Sequence, residues 1–433
     1  LLVSTVLYAV QRMAQLSTLM VLAGLLVYCQ WRVSVIAGRP RLWLLGLLPV
    51  CLLFGFLAKE NAVLLVPLAV VMECYLFRFT GAGGCLNTRA RQATLAGVAI
   101  AAGVLLTLAW IRPGLYTGSY DVRDFTMAER VLTEARILWD YLSQLLWPDV
   151  RTMGVYHDDY PKSTGLLQPP ATLWALSGWL AVLAAGVAGL FYRRVGLLVF
   201  GLLFFLAGHA LESTVFALEL YFEHRNYLPA TGFFIGLGII AGAALRRLPE
   251  ATTAGLTVGA VTVLALAPLT ASQAAVWSNG LLLHMEAVNA HPRSVRANSE
   301  YAGYLARSGF LPQALAAAER AANLEPGLPV GVTASRQLAL YCQSNRALPR
   351  GFPAEFDVGR NDLDLRSAGD ALQVAVELME RGVCPNLDAV ALADRFGEIF
   401  IDGGAAVPST QIFLVLALLE NTVGRPARGL AYT

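Results

Sequence analysis

Between residues 218 and 230 the chain gathers Glu219, Glu223, His224, Arg225, Asn226 and Tyr227 directly before Pro229, in a sequence that is otherwise mostly hydrocarbon. His209 and Glu212 stand just upstream, at the end of an apolar run. Ionisable groups near bilayer depth are costly and tend to mark paths for substrates or ions. Arg225 offers a planar fork of donors and His224 a further one, a combination suited to phosphate or pyrophosphate. Glu219 or Glu223 can orient them or accept a proton. The competing reading makes these residues interfacial anchors of a helix end, helped by Tyr221 and Tyr227.

Three smaller constellations carry chemistry of their own. Lys59-Glu60 forms a tight charged turn between two apolar runs; it either snorkels or lines the same cavity as the cluster above. Gln11-Arg12 opens an apolar run and makes Arg12 a second candidate phosphate ligand. His157, Asp158 and Asp159 stand together before Tyr160 and Pro161. Hard divalent cations take carboxylate oxygens and a carboxylate can serve as general base, so this triplet is a candidate for metal binding or acid–base work. A plain turn is the alternative. No nucleophile elbow, phosphate-binding loop, zinc-protease helix or paired CxxC occurs, which sets aside serine hydrolases, P-loop ATPases and zincins. The six cysteines have no metal spacing. Cys29, Cys51 and Cys74 read as buried apolar groups and Cys85 falls in a short loop. Cys342 and Cys384 can pair if their part of the chain lies outside the cytoplasm.

The elements that position these groups follow from composition. Of 433 residues, 56% are hydrophobic and 14% charged, against about 25% charged in a soluble domain, so the chain reads as an integral membrane protein. The net charge of +2 and the lack of a basic run give no reason to expect nucleic acid. Apolar runs suited to span a bilayer lie at 14–31, 42–58, 62–79, 93–111, 171–192, 195–207, 228–245 and 254–270. Residues 1–10 read as the tail of an earlier run and 424–433 as the start of a further helical hairpin, so a piece truncated at both ends is expected. Basic residues fall in every second connection: Arg32, Arg39 and Arg41; Arg78, Arg89 and Arg91; Arg193-Arg194; Arg246-Arg247. The positive-inside rule makes those connections cytoplasmic. It places Lys59-Glu60, the loop 112–170, the 218–230 cluster and everything after residue 270 outside.

Within the loop 112–170, Val131, Leu132, Ala135, Leu138, Trp139, Leu142, Leu145 and Leu146 make one apolar face opposed by Glu129, Glu134 and Asp140. This suits a helix lying along the membrane interface, ended by Pro148. In the C-terminal part Asn289-Ala-His-Pro292 recurs as Asn323-Leu-Glu-Pro326, the tetratricopeptide period. Ala302, Gly309, Ala314 and Ala321 supply its small positions. Helices predicted at 368–381, 387–400 and 410–422 read as degenerate repeats, and stacked repeats present a concave surface for an extended peptide. The fold class is therefore all-α: a polytopic helical membrane domain over 1–275, followed by a soluble tetratricopeptide-like α-solenoid over 276–433.

With Arg12, Ala58-Lys-Glu60, Glu223 and Tyr227-Leu-Pro229 in this order, the chain resembles the bacterial membrane proteins akin to the transmembrane-and-tetratricopeptide protein O-mannosyltransferases. The stretch from Tyr156 to Pro161 and the following Gln168-Pro-Pro-Ala-Thr172 agree with the bacterial branch. The resemblance implies a GT-C type glycosyltransferase of the bacterial inner membrane with a periplasmic repeat domain. It implies transfer of a sugar from a polyprenyl-phosphate donor to hydroxyl groups of exported protein held by the repeats. Glu223, His224, Arg225, Asn226, Tyr227, Arg12, Lys59 and Glu60 would then serve the lipid phosphate. The family's catalytic acid lies in a loop expected before Leu1, so no carboxylate here takes that role, and no cofactor is fixed beyond the option of a divalent metal. A surface-polysaccharide ligase or polymerase with a lipid-linked donor, and a membrane-anchored repeat scaffold for envelope or pilus assembly, are the alternatives.

Overall fold

The computed structural model describes residues 2–111, 114, 120, 123–247, 252–324, 340, 365–383, 387–398 and 410–432. All regular structure among them is helical. The expected pairing of Cys342 with Cys384 and the repeat position Pro326 lie outside the described residues. The chain divides into two units: residues 1–153 with 160–277, and residues 278–433 with the six-residue segment 154–159. That segment was expected to belong with the loop of the membrane part; it clusters with the second unit instead.

In the first unit, α1 (Val3–Leu7) is a single turn. The chain extends at Tyr8 before α2 (Arg12–Ile36), which separates α1 from it. There follow α3 (Trp43–Ala58), α4 (Leu65–Met72), α5 (Thr88–Ile111), α6 (Met127–Leu146), α7 (Ala171–Phe191), α8 (Arg193–Gly208), α9 (Pro229–Leu245) and α10 (Thr252–Ser278). Four described stretches are long and apolar enough to cross a membrane: Ala9–Ile36, Glu60–Phe77, Ala171–Phe191 and Thr253–Ser278. This is compatible with a membrane protein. Their outward residues are apolar: Leu26 on α2 is 60% exposed, Trp174 on α7 76% and Leu264 on α10 71%. In water such surface would drive association; in hydrocarbon it costs nothing.

Two close approaches set the frame of the site. Where α8 meets α9, a Cβ on Gly236 would stand 2.6 Å from the Cα of Gly201, so the backbones touch as small residues allow. Where α7 turns into α8, a Cβ on Gly189 would stand 2.6 Å from the Cα of Gly196. Pro229 then starts α9, where its missing N–H costs nothing. The connection 209–228 is thereby held between two helix ends that cannot slide apart without losing that packing.

Helix α6 starts on a capping box, Thr126 with Glu129, which satisfies two otherwise orphaned N–H groups. It packs on α7 through Trp139 and Trp179, stacked with centroids 4.3 Å apart. Each indole N–H donates across the contact, Trp139 to the carbonyl of Ala175 and Trp179 to that of Ala135. The expected polar face of α6 needs correction. Glu134 is buried, as are Arg130, Thr133, Ile137 and Tyr141, while Val131 and Leu146 are exposed. The helix buries two stripes, not one, because Arg130 and Glu134 neutralise each other and enter the core together.

The second unit contains α11 (Gly280–Ala290), α12 (Val295–Arg307), α13 (Leu311–Leu324), α14 (Leu365–Glu380), α15 (Ala389–Gly397), α16 (Thr410–Thr422) and α17 (Pro426–Leu430). Helices α12 and α13 pack through Ala302, Ala314, Ala317 and Ala318, all 2% exposed or less. Gly309 turns between them at φ +83°, a backbone region that glycine enters without strain. Residues 426–430 pack back on α16, with Arg425 and Arg428 paired to Asp394 at 2.6 and 2.9 Å.

Candidate functional site

The connection 209–228 has little regular structure of its own, so its carbonyls need donors from elsewhere. Arg130 on α6 supplies most of them. Its guanidinium donates to the carbonyls of Glu212 (2.6 Å), Thr214 (3.0 Å), Glu219 (3.1 Å) and Leu218. Arg123 donates to the carbonyl of Ala217 and pairs with the Glu219 carboxylate, at 3.0 and 2.9 Å. The Tyr120 hydroxyl donates to the carbonyl of Val215, and the Tyr141 hydroxyl accepts the Phe222 N–H. Arg225 closes the loop on itself, donating to the carbonyls of Leu220 (2.9 Å) and Glu219 (2.7 Å).

Inside this frame runs a line of alternating charges. Lys59 Nζ meets Glu212 Oε1 at 2.6 Å, and Asn61 donates to the same oxygen at 2.9 Å. Arg225 lies 4.0 Å from the other Glu212 oxygen and 3.6 Å from Glu134. Arg130 lies 2.9 Å from Glu134. The side chains of Arg130, Glu134 and Arg225 are at most 4% exposed, those of Lys59 and Glu212 11% and 12%. Three cations thus face two carboxylates, and the line opens toward solvent at its Lys59 end.

The carboxylates differ in character. Burial alone would raise Glu212, but Lys59 and Arg225 overrule it and hold its pKa at about 2. Burial wins at Glu134 and pushes it up to about 7 against the pull of Arg225 and Arg130. Arg130 meets Glu134 at 2.9 Å, and the Ser213 hydroxyl lies close enough to add its own pull. His209 Nε2, Asn61 Oδ1 and Asn226 Oδ1 are buried without a partner among the described residues. Burial depresses His224 to about 4, with Glu212 opposing that and Arg225 and Lys59 adding to it, so its half-buried ring is neutral at physiological pH.

The structure therefore joins Lys59 and Arg225 through Glu212, with His224 in electrostatic reach of them, while Asn226 is buried and donates to the Glu223 carbonyl. Glu223 and Tyr227 are half-buried, and Arg12 and Glu60 are exposed. Arg225 does not present a free fork, since its terminal nitrogens are committed to carbonyls. Sequence reasoning missed Arg130, Glu134, Asn61 and Arg123. The available signal was the stripe Arg130, Glu134, Ile137, Tyr141, whose spacing places an ion pair on the same buried line as an isoleucine and a tyrosine.

His157, Asp158 and Asp159 belong to the other unit and do not converge as metal ligands. Asp158 accepts the Ser294 hydroxyl and the Arg296 N–H, while Asp159 pairs with His291. Among the described residues no group of three or more His, Cys, Asp or Glu side chains is placed to hold a metal ion. The cysteines 29, 51, 74 and 85 are free thiols.

These observations define a chain whose regular structure, among the described residues, is all helical, with membrane-length apolar helices and a buried, cation-rich polar cluster. Comparisons with protein families, with curated proteins and with solved structures give no match.

Proposed function

We propose that the first unit is the membrane part of a transferase that takes a sugar from a polyprenyl-phosphate donor and passes it to hydroxyl groups of exported protein on the outer face of a bacterial inner membrane. The observation that carries this reading is the charge count of the cluster: two buried arginines and Lys59 at the solvent edge face two carboxylates, one of which is pushed up to about 7. A buried excess of positive charge is costly unless an anion completes it. The basic connections turn this end of the unit outward by the positive-inside rule. In this reading all eight apolar runs span, and the second unit is a tetratricopeptide-like solenoid that holds the acceptor.

In the transfer, the acceptor oxygen bonds the anomeric carbon as the bond from that carbon to the phosphate oxygen breaks. The lipid phosphate leaves with the electron pair, and the acceptor proton goes to a base. The chain's assigned part is the leaving phosphate. Lys59 and His224 stand at the open end of the cluster and would meet it. Arg225, bound to carbonyls, contributes its charge, and Arg12 adds a cation on exposed surface. Glu134 is not the base, because it is 1% exposed and enclosed by two arginines.

The test is binding of polyprenyl phosphate to the protein in nanodiscs, followed by native mass spectrometry. Arg225→Ala is expected to weaken binding at least tenfold and Arg225→Lys, which keeps the charge, by much less. Equal binding by wild type and Arg225→Ala, with helical content retained, contradicts the assignment.

A further inference from the structure

The turn between α11 and α12 in the second unit carries a set of contacts that the transferase reading does not use. The segment 154–159 lies on it, and four of its six residues make a specific contact. Asp158 takes the Ser294 hydroxyl on one oxygen and the Arg296 backbone N–H on the other, at 3.1 Å for the latter. Asp159 pairs with His291 Nδ1 at 2.8 Å. The His157 ring lies 4.2 Å from the His291 ring. The Arg296 guanidinium covers the Tyr156 ring at 4.9 Å. The backbone also comes close, for a Cβ on Gly154 would stand 3.1 Å from the His291 ring.

Each contact matches a known preference. A carboxylate at a helix N-terminus meets unpaired N–H groups and the positive end of the dipole; α12 is 13 residues long, with Ser294 as its N-cap. An arginine over a tyrosine is a cation–π contact. His291 gives the second carboxylate a charge-assisted partner when protonated. Pattern and spacing, rather than bulk apolar area, define what the surface accepts: an aromatic residue, then two places on a pair of adjacent carboxylates presented on a turn.

We infer that this turn is a peptide-reading site already loaded by its own chain. Residues 154–159 are an internal ligand, and an acidic segment of another protein with the same aromatic-x-Asp-Asp pattern, able to turn at the two carboxylates, competes for His291, Ser294 and Arg296. The inference stands on the second unit alone and survives if the first unit is not a transferase. An internal ligand on a short tether acts at an effective concentration in the millimolar range, so an outside segment binds weakly until the internal one is removed.

The experiment uses the full chain in detergent and a fluorescent hexapeptide of the sequence of residues 154–159 as probe, read by anisotropy. The double variant Asp158→Ala, Asp159→Ala is expected to bind the probe about tenfold more tightly than wild type, or better. Adding His291→Ala to that variant is expected to remove the gain. If the double variant does not fold, Tyr156→Ala takes its place, with a twofold to threefold gain expected. Probe binding that the strap variants leave at the wild-type level overturns the inference, as does a gain that His291→Ala fails to remove.

Discussion

The first unit buries two ionic centres at opposite ends of α2, and they are built on different principles. At one end Arg32 and Glu73 pair bidentately at 2.6 and 3.0 Å. Glu73 also accepts the Tyr28 hydroxyl and the Phe79 N–H, and Arg32 donates to the Thr80 carbonyl. The pair fixes a turn in which Arg78 and Phe79 adopt φ of +54° and +57°, strained values for residues with a Cβ. Arg78 then donates to the carbonyls of Gly189 and Leu190 at the end of α7. One cation meets one anion, both Glu73 oxygens are bonded, and the result is a clamp.

At the other end, among the described residues, Lys59, Arg130 and Arg225 pair with two carboxylates, Glu212 and Glu134. The connection around them is held rigidly by arginine–carbonyl bonds, so the imbalance does not come from a loose loop. A closed pair stabilises, whereas an unbalanced one is, in the proposal made above, completed by an anionic ligand.

The largest expected effect breaks the frame of the unbalanced centre. Arg130→Ala strips the donor from four carbonyls and the partner from Glu134, a loss of about 5 kcal/mol or more, seen as failure to recover monodisperse protein in size exclusion. Next comes the clamp: Glu73→Ala leaves Arg32 buried without a counter-charge and should cost about 3–5 kcal/mol in detergent melts, yet leave phosphate-lipid affinity of the surviving folded fraction unchanged. A pH series sharpens the contrast further. Glu134 has its folded pKa raised from 4.5 to about 7, so its contribution to stability is complete below about 4.5 and is lost as pH rises through about 7. Glu134→Gln should flatten that dependence, worth up to about 3 kcal/mol at pH 8. Glu212, held at about 2, contributes above its ordinary value of 4.5, and that contribution fades only as pH falls toward 2. The smallest effect is at Arg12, exposed on α2, where alanine should change stability by less than about 0.5 kcal/mol.

Part of this was legible in the sequence. The apolar runs marked the helices, and the crowding of polar residues before Pro229 marked the connection that became the site. Lys59-Glu60 pointed to the same place, although only Lys59 turns in. What the sequence hid was the depth of Arg130 and Glu134, because a pair four residues apart on a helix is also the ordinary pattern of a solvated surface. Only the partners brought by residues 212–225 distinguish the two. The fate of Asp158 and Asp159 was hidden for a similar reason: two carboxylates in a turn suggest a metal, and their actual partners come from residues more than a hundred positions on.

The central claim is that the cluster around Arg225 carries an excess of positive charge that an anionic lipid head group completes. Its most direct measurement is polyprenyl-phosphate affinity in nanodiscs for a pair of variants that shift the balance in opposite directions. Lys59→Gln removes a cation and should weaken binding about tenfold. Glu212→Gln removes an anion and should tighten it. If both variants, folded, bind the lipid as the wild type does, the excess charge has no ligand of this kind and the claim fails.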